Sequence, residues 1–500
     1  MVMHNKYFER VIPEDVGISS LNIAGFLNRV RDMGYQMHSF LLMRHGKVAA
    51  EVCEYPYHRE DKRLVYSTSK TFTSTAVGIA VKEGLLKVED RVLDYFKEYD
   101  TPDLNPRVGQ MRIKNLLMMA TGHGKDSIGD VCNGDADWVR TFFTREMTYE
   151  PGEKFVYDSG GTYMLSEIIT KVTGQRMADY LREKLLYPLE IKDFLWETHG
   201  EVNTGAWGVL IAPEDLAKLG MLYLQKGQWK GEQILTEEWV ETASSELIRT
   251  GTSQHGWSEG YGYQIWRNNA DSFRSDGAFG QLCMVFPKED MVIAVTAEEA
   301  DPSRVFPLIE KYLLGELSKE PKMRDAKALE ILIQEMKSWE LPVVTKPTSS
   351  YLEYALPGWE YSFTGEEEKT EHRIRFSFHN SGMTFDIDGV QRIASSNLTY
   401  IDGETEYVIM PPSCSPIIGQ EQMRRKWKYS AHHEWINDGT LMVSIVYRET
   451  GHVQKWLFTF TDKKMNLVIS NSCKKLFGLF FDMVSDRNVD FADMRFSGSR

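Results

Sequence analysis

Tyr66-Ser67-Thr68-Ser69-Lys70-Thr71-Phe72-Thr73 runs directly into the apolar segment Ala76-Val77-Gly78-Ile79-Ala80-Val81. A serine followed three residues later by a lysine, at the start of a helix, puts both side chains on one face a single turn apart. Such a pair can make a nucleophile. A serine hydroxyl is inert near neutral pH unless a base takes its proton. A lysine can be that base if burial and positive neighbours bring its pKa down from ~10.4. The helix N-terminus adds partial positive charge that favours an alkoxide.

Alone, the motif carries little weight. At roughly 6–7% Ser and Lys, about two S-x-x-K matches arise by chance in a chain of this length. Two occur, and the second, Ser472-Cys473-Lys474-Lys475, reads as accidental.

Size and composition limit the alternatives. Five hundred residues exceed one ordinary core, so two or three domains are expected. Hydrophobic residues at 42% and charged residues at 26% fit a globular enzyme. A net charge of −14, spread along the chain, argues against nucleic acid or an anionic membrane as the main partner. The five cysteines, Cys53, Cys132, Cys283, Cys414 and Cys473, are odd in number and widely spaced, so reduced thiols in a cytoplasm are expected. Met1 to Arg10 has no apolar signal core, and no stretch of about 18 apolar residues predicts a membrane span.

Along the chain, His38–Met43 and Val48–Tyr55 predict a hairpin, and the Ser67 helix ends at Gly84, a C′ glycine. Residues 85–240 read as mostly helical. Strand signals resume at Gly262-Tyr263-Gln264-Ile265-Trp266 and in the hairpin Gln281–Phe286/Met291–Thr296. Residues 303–316 and 322–339 read as helices. Strands from both ends of this region predict one antiparallel sheet flanked by helices, with a helical subdomain beside it: an α+β fold. Residues 341–350 read as a linker. Beyond them the pattern has period two, with hairpins at 373–387 and 440–460 and another suggested at Leu398–Ile401, turning at Asp402-Gly403. The expected domains are therefore 1–320, a helix and linker at 321–349, and an antiparallel β barrel or sandwich at 350–500.

Two further segments can join Ser67. In Glu150-Pro151-Gly152-Glu153-Lys154-Phe155-Val156-Tyr157-Asp158-Ser159-Gly160-Gly161, Tyr157 follows a Pro-Gly turn and precedes a helix. A phenol beside an ammonium can shuttle a proton to a leaving group. In Arg274-Ser275-Asp276-Gly277-Ala278-Phe279-Gly280-Gln281, the glycines let a backbone approach a substrate closely. The amides of Ser67 and Ala278 can then hold an oxyanion.

This order, S-x-x-K, then Y-x-S/N, then a Gly-rich strand edge, resembles the serine β-lactamase and penicillin-binding protein family. The nearest branch holds class C β-lactamases, esterases, D-aminopeptidases and 6-aminohexanoate-dimer hydrolase. Flanking segments resemble it too: Leu116–Gly122 is similar to L-L-x-H-x-S-G, Ala212–Gly220 to T-x-x-D-L-A-x-F-G, and Tyr261–Trp266 to Y-G-Y-G-W-W. The resemblance covers roughly residues 10–318. It implies a serine hydrolase acting on an ester or amide through an acyl-enzyme. Ser67 would be the nucleophile, Lys70 the general base and Tyr157 the proton shuttle. Ser67 and Ala278 would form the oxyanion hole, and Ser159, Asp276, Gly277 and Gln281 would face the substrate. No metal or cofactor is implied. The partner would be a small-molecule ester, amide or peptide, and a homo-oligomer stays open.

The chain departs from that pattern on the closing strand. Relatives carry Lys or His, then Thr or Ser, then Gly, which bind a substrate carboxylate; here the place reads Ser275-Asp276-Gly277. An acidic Asp276 repels a carboxylate and favours a neutral or amine-bearing substrate, unless it is merely a solvated charge at a strand end. This argues against the alternative β-lactamase or D-Ala-D-Ala peptidase activity. Ser159 stands where relatives have Asn. A weakly catalytic sensor of the same fold is the other alternative. An α/β-hydrolase triad lacks its G-x-S-x-G, and His432-His433-Glu434, the one His-rich spot, reads as exposed strand or loop without an H-E-x-x-H.

Overall fold

The computed structural model of the chain describes residues 7–133, 136–269, 271–342, 347–365, 370–407, 425–472 and 493–500. Cys414, Cys473, the second S-x-x-K beyond Ser472, linker residues 343–346 and the first six residues lie outside them, as does the Cys132 side chain. The chain divides into two compact units. The first comprises residues up to Val52 and Leu64–Ser338, and the second Cys53–Arg63 and the described residues from Trp339 onward.

The first unit is built on a six-stranded sheet. Its strands are β1 (Met37–Arg44), β2 (Lys47–Cys53), β3 (Trp266–Asn269), β4 (Ser272–Gly277), β5 (Gln281–Phe286) and β6 (Met291–Ala297), in the order β3-β4-β5-β6-β1-β2. The two ends of the region thus meet in one sheet, antiparallel from β3 through β6 to β1. The β1–β2 turn has His45 and Gly46 at positive φ, 52° and 70°, which matches the twist of a two-residue hairpin. β6 and β1 are buried along their whole length, because helices cover the sheet.

The longest helices among the described residues are α1 (Ser20–Asp32), α2 (Ser69–Lys82), α3 (Ser159–Thr173), α4 (Pro213–Leu224) and α5 (Ala326–Glu340). α2 is buried continuously from Ser69 to Ala80, so it is a central helix rather than a surface one. It stops where expected: Gly84 has φ 73°, a conformation that a side chain resists. Residues 85–240 are less uniformly helical than their sequence suggests. Short strands at Leu195–Trp196, Thr198–His199, Val202–Asn203 and Val209–Ile211 interrupt the helices.

One strand expectation is corrected. Gly262–Ile265 is an irregular bend, and the strand begins only at Trp266. Gln264 has φ 60°, and its buried amide donates to the carbonyls of Leu116 and Leu117 at 2.9 and 3.0 Å while accepting from Thr162. These bonds tie the segment to the helical side and leave it no ladder to join.

The second unit is a ten-stranded barrel. Its strands are β7 (Glu360–Gly365), β8 (Glu371–His379), β9 (Gly382–Ile387), β10 (Gln391–Ser396), β11 (Ile401–Thr405), β12 (Trp427–Asn437), β13 (Thr440–Tyr447), β14 (His452–Thr461), β15 (Lys464–Asn471) and β16 (Met494–Ser499). They run in the order β10-β9-β8-β7-β16-β15-β14-β13-β12-β11, and a bridge between Ser396 and His432 closes the ring. Alternate residues such as Leu441, Val443, Ile445, Trp456, Phe458 and Leu467 fill the interior. Residues 53–63 belong to this unit. Asp61 accepts from Lys428 at 2.8 Å and Arg448 at 2.7 Å, and Cys53 and Tyr57 pack on Val446.

Two sequence readings are corrected in this unit. Asp402-Gly403 lies inside β11, not in a turn. The Asp402 carboxylate accepts from Ser430, and Gly403 leaves room for the Tyr429 ring, which an added Cβ would meet at 2.4 Å. His432 and His433 are buried, not exposed: they lie mid-strand in β12, and His433 Nδ1 is 2.9 Å from Ser395 Oγ. Burial brings the His433 pKa down to about 4, so its ring stays neutral. Among the described residues, no helix is long and apolar enough to cross a membrane, and no three His, Cys, Asp or Glu gather as a metal site.

Gly403→Ala should destabilise the barrel by about 1–3 kcal/mol, seen as a lower urea midpoint, because the Tyr429 hydroxyl accepts the Ala394 N–H at 2.7 Å and its ring cannot yield freely. An unchanged midpoint would contradict the packing described.

Candidate active site

Ser67 sits in a 3-10 turn, Tyr66–Thr68, immediately before α2. Tyr66 holds φ 45°, an uncommon conformation for a bulky residue. The turn survives because it is bonded on several sides. Val65 N donates to Val209 O at 2.9 Å, Val209 N to Ser69 Oγ at 3.1 Å, and Thr68 Oγ1 to Gln281 O at 2.9 Å. Further along α2, Thr71 and Thr73 hydroxyls donate to Gln264 O and Gly205 O.

Lys70 Nζ lies 3.0 Å from Ser67 Oγ and 3.0 Å from Ala206 O. Its side chain is 2% exposed. Burial brings the amine's pKa down to about 7, although Asp126 and Asp158 pull it upward. Tyr157 faces the same pair: the Ser67 hydroxyl acts to lower its phenol pKa, and its ring centroid is 4.8 Å from Lys70 Nζ. Burial pushes the phenol's pKa far above its ordinary value. Tyr157 therefore stays protonated while Lys70 can lose its proton. The Trp266 ring stacks on Tyr157 at 6.0 Å and 17°, beside Phe155 and Tyr261.

The strand edge meets the nucleophile turn at Gly277. A Cβ there would stand 2.2 Å from Val65 O and 3.2 Å from Thr68 N, so only glycine permits the approach. Beyond it the chain turns sharply, with Phe279 and Gly280 at φ 67° and 88°. The N–H groups of Ser67 and Ala278 have no acceptor among the described residues. Gln281, expected to face the substrate, spends its amide differently: Nε2 donates to Ala297 O at 2.6 Å and Ala278 O at 3.3 Å. It is a strut for the loop that carries Ala278.

Asp276 also differs from expectation. It is not a solvated charge. Arg274 Nε donates to its Oδ2 at 2.7 Å, with side-chain exposures of 0% and 9%. Burial raises the carboxyl's pKa and Arg274 opposes the rise. Ser275, between them, faces the other way, toward Thr71, Tyr223 and Cys283.

Ser159 is tied to Asp126, a residue the sequence reading missed. The Asp126 carboxylate accepts from Ser159 N at 2.7 Å, Ser159 Oγ at 3.0 Å and Ile128 N at 3.0 Å. Burial and the nearby Asp158 raise its pKa to about 6, with Lys70 opposing. Asp158, also missed, accepts from Thr121 Oγ1 at 2.8 Å, lies 2.8 Å from His123 Nδ1, and takes the Ser127 N–H and hydroxyl. Burial pushes its carboxyl up, but the bonds from His123, Ser127 and Thr121 prevail and hold it at about 2. No spacing pattern in the sequence joins residues 121–127 to 158–159. Only an acidic residue inside the quoted Tyr157 segment hinted at Asp158.

The comparisons agree with this architecture. The family model described as Beta-lactamase matches residues 33–314, and the chain belongs to that family. A 6-aminohexanoate-dimer hydrolase of Paenarthrobacter ureafaciens is 27% identical over 288 residues, 53% of this chain and 73% of the relative. A solved Bacillus anthracis structure, provisionally assigned as a 6-aminohexanoate-dimer hydrolase, superposes with TM-score 0.53 at 20% identity, covering 62% of this chain and 86% of that one. EstCE1, a hydrolase with promiscuous acyltransferase activity, gives a TM-score of 0.50 at 16% identity over 59% and 98%. At these identities the superpositions show the fold. The family and its named hydrolases make this chain a hydrolase.

Lys70→Met should stabilise the protein. The folded pKa of Lys70 lies below its unfolded value, so holding the proton costs folding energy below about pH 7, and the cost fades toward pH 10.5. The variant should gain about 1–3 kcal/mol at pH 6 and less at pH 9, read from thermal melts at both pH values. Equal or lower stability at pH 6 would show that the amine is not desolvated as described.

Proposed function

We propose that the chain is a serine hydrolase that cleaves an ester or amide through an acyl-enzyme on Ser67. The observation that carries this reading is the buried amine of Lys70, 3.0 Å from Ser67 Oγ, with its pKa brought down to about 7 by burial. In this reading neutral Lys70 takes the Ser67 proton as the oxygen attacks the substrate carbonyl. The developing oxyanion lies against the N–H groups of Ser67 and Ala278, which cost no reorganisation because they start unpaired. Tyr157, held protonated, passes a proton to the departing oxygen or nitrogen and recovers one from Lys70. Water then attacks the acyl group, neutral Lys70 takes its proton, and Tyr157 protonates the departing Ser67 Oγ and is reprotonated from Lys70.

Ser159 and Asp126 serve as positioning residues in this scheme. Asp126 anchors Ser159, the first residue of α3, and thereby the loop that presents Tyr157. The similarity to a protein named as a 6-aminohexanoate-dimer hydrolase supports acyl transfer from an amide as well as from an ester.

A fluorophosphonate probe should label the wild type and not Ser67→Ala; absence of label on both would overturn the reading. Lys70→Ala should lose roughly 10³-fold or more in turnover of a p-nitrophenyl ester with the fold retained, and a loss below about tenfold would mean a different base. The pH profile supplies an independent check. Because Lys70 must be unprotonated, kcat/KM should rise with pH and level off above about 7. Asp126→Asn removes a negative charge that holds the proton on Lys70, so the rise should move to lower pH. A shift to higher pH would contradict the assignment.

A further inference from the structure

Arg274 and Asp276 are two residues apart on β4 and so share one face of the sheet. Their ion pair is almost dry. The guanidinium carbon is 4.7 Å from the Phe306 ring centroid and 5.3 Å from that of Trp257. Nη1 donates to Asn268 Oδ1 at 2.8 Å, and Nη2 is buried with no acceptor among the described residues. Asp276 sits one residue before Gly277, where β4 abuts the Ser67 turn, and its charge is felt at the Tyr157 phenol.

We propose that the Arg274–Asp276 pair is a charge filter on the leaving-group side of the active site, selecting esters and amides whose leaving group is uncharged. This rests on the reading of Ser67 as nucleophile and Tyr157 as the donor to the leaving group. A free cation on this strand would attract a carboxylate, and a free carboxylate would attract an ammonium. Paired, the two side chains offer neither, and a charged leaving group would lose its hydration without gaining a partner. The filter also hides a carboxylate site. If the Asp276 charge is removed, a buried guanidinium remains without a counter-charge and with Nη2 lacking an acceptor, and a ligand carboxylate supplies both.

Three acetate esters test this: those of 4-hydroxybenzamide, 4-hydroxybenzoate and 4-hydroxybenzylammonium. Each kcat/KM is divided by the ester's own hydroxide rate, which removes differences in leaving-group reactivity. Wild type should prefer the amide over both charged esters by about tenfold or more. Asp276→Asn should raise the benzoate-to-benzamide ratio by about tenfold or more, and Arg274→Met/Asp276→Asn should abolish that gain. Equal wild-type rates for all three esters would overturn the filter, whatever the variants do. So would an Asp276→Asn ratio within about threefold of wild type in protein that still turns over the benzamide ester. If no ester shows turnover that Ser67→Ala removes, the hydrolase reading itself fails, and the filter with it.

Discussion

A lysine amine kept out of water beside a serine hydroxyl sets the terms for the rest of this fold. Lys70 is 2% exposed, and burial draws its pKa to about 7. An amine on a solvated helix would stay charged and could not take a proton. To remove it from water, α2 must be enclosed on every side, and it is, from Ser69 to Ala80. The enclosure comes from strands at both ends of the domain sequence and from helices inserted between them. The same burial that permits chemistry costs stability, as is usual for strained functional sites.

Two buried carboxylates both moderate that cost by favouring the charged amine, but their own environments differ. Asp158 is saturated with hydrogen bonds from His123, Thr121 and Ser127 and stays ionised. Asp126 is held up at about 6 by burial and by Asp158. Both bear on Lys70, and both lie on the segments that flank Tyr157. The electrostatic setting of the base and the placement of the phenol therefore depend on one network. The strand edge is fixed separately, by the contact of Gly277 with Val65 and Thr68 and by the bonds from Gln281 to Ala278 and Ala297.

Much of this was legible beforehand where local chemistry decides the outcome. The β1–β2 turn, the end of α2 at Gly84, the Pro213 start of α4 and the hairpins of the barrel follow from glycine, proline and period-two patterns. Readings failed where a distant side chain overrode a local signal. Gln264 bonds to Leu116 and Leu117 and leaves the expected strand. Asp402-Gly403 looks like a turn but lies in a strand beneath Tyr429. His433 is polar, yet Ser395 on the strand bridged to its own satisfies it inside.

By itself the sequence determined that a serine and a lysine share one turn of a helix, that a tyrosine waits in a loop before another helix, and that strands bracket a helical insert before a β-rich second half. These are consequences of backbone period and residue shape, which neighbours in the chain control. Tertiary structure alone decided that Asp126 holds Ser159, that Arg274 neutralises Asp276, and that residues 53–63 are captured by Lys428 and Arg448 in the second unit. Charge and hydrogen bonding act through space. A carboxylate's partner is whatever the folded chain brings within about 3 Å, and no local pattern records that distance.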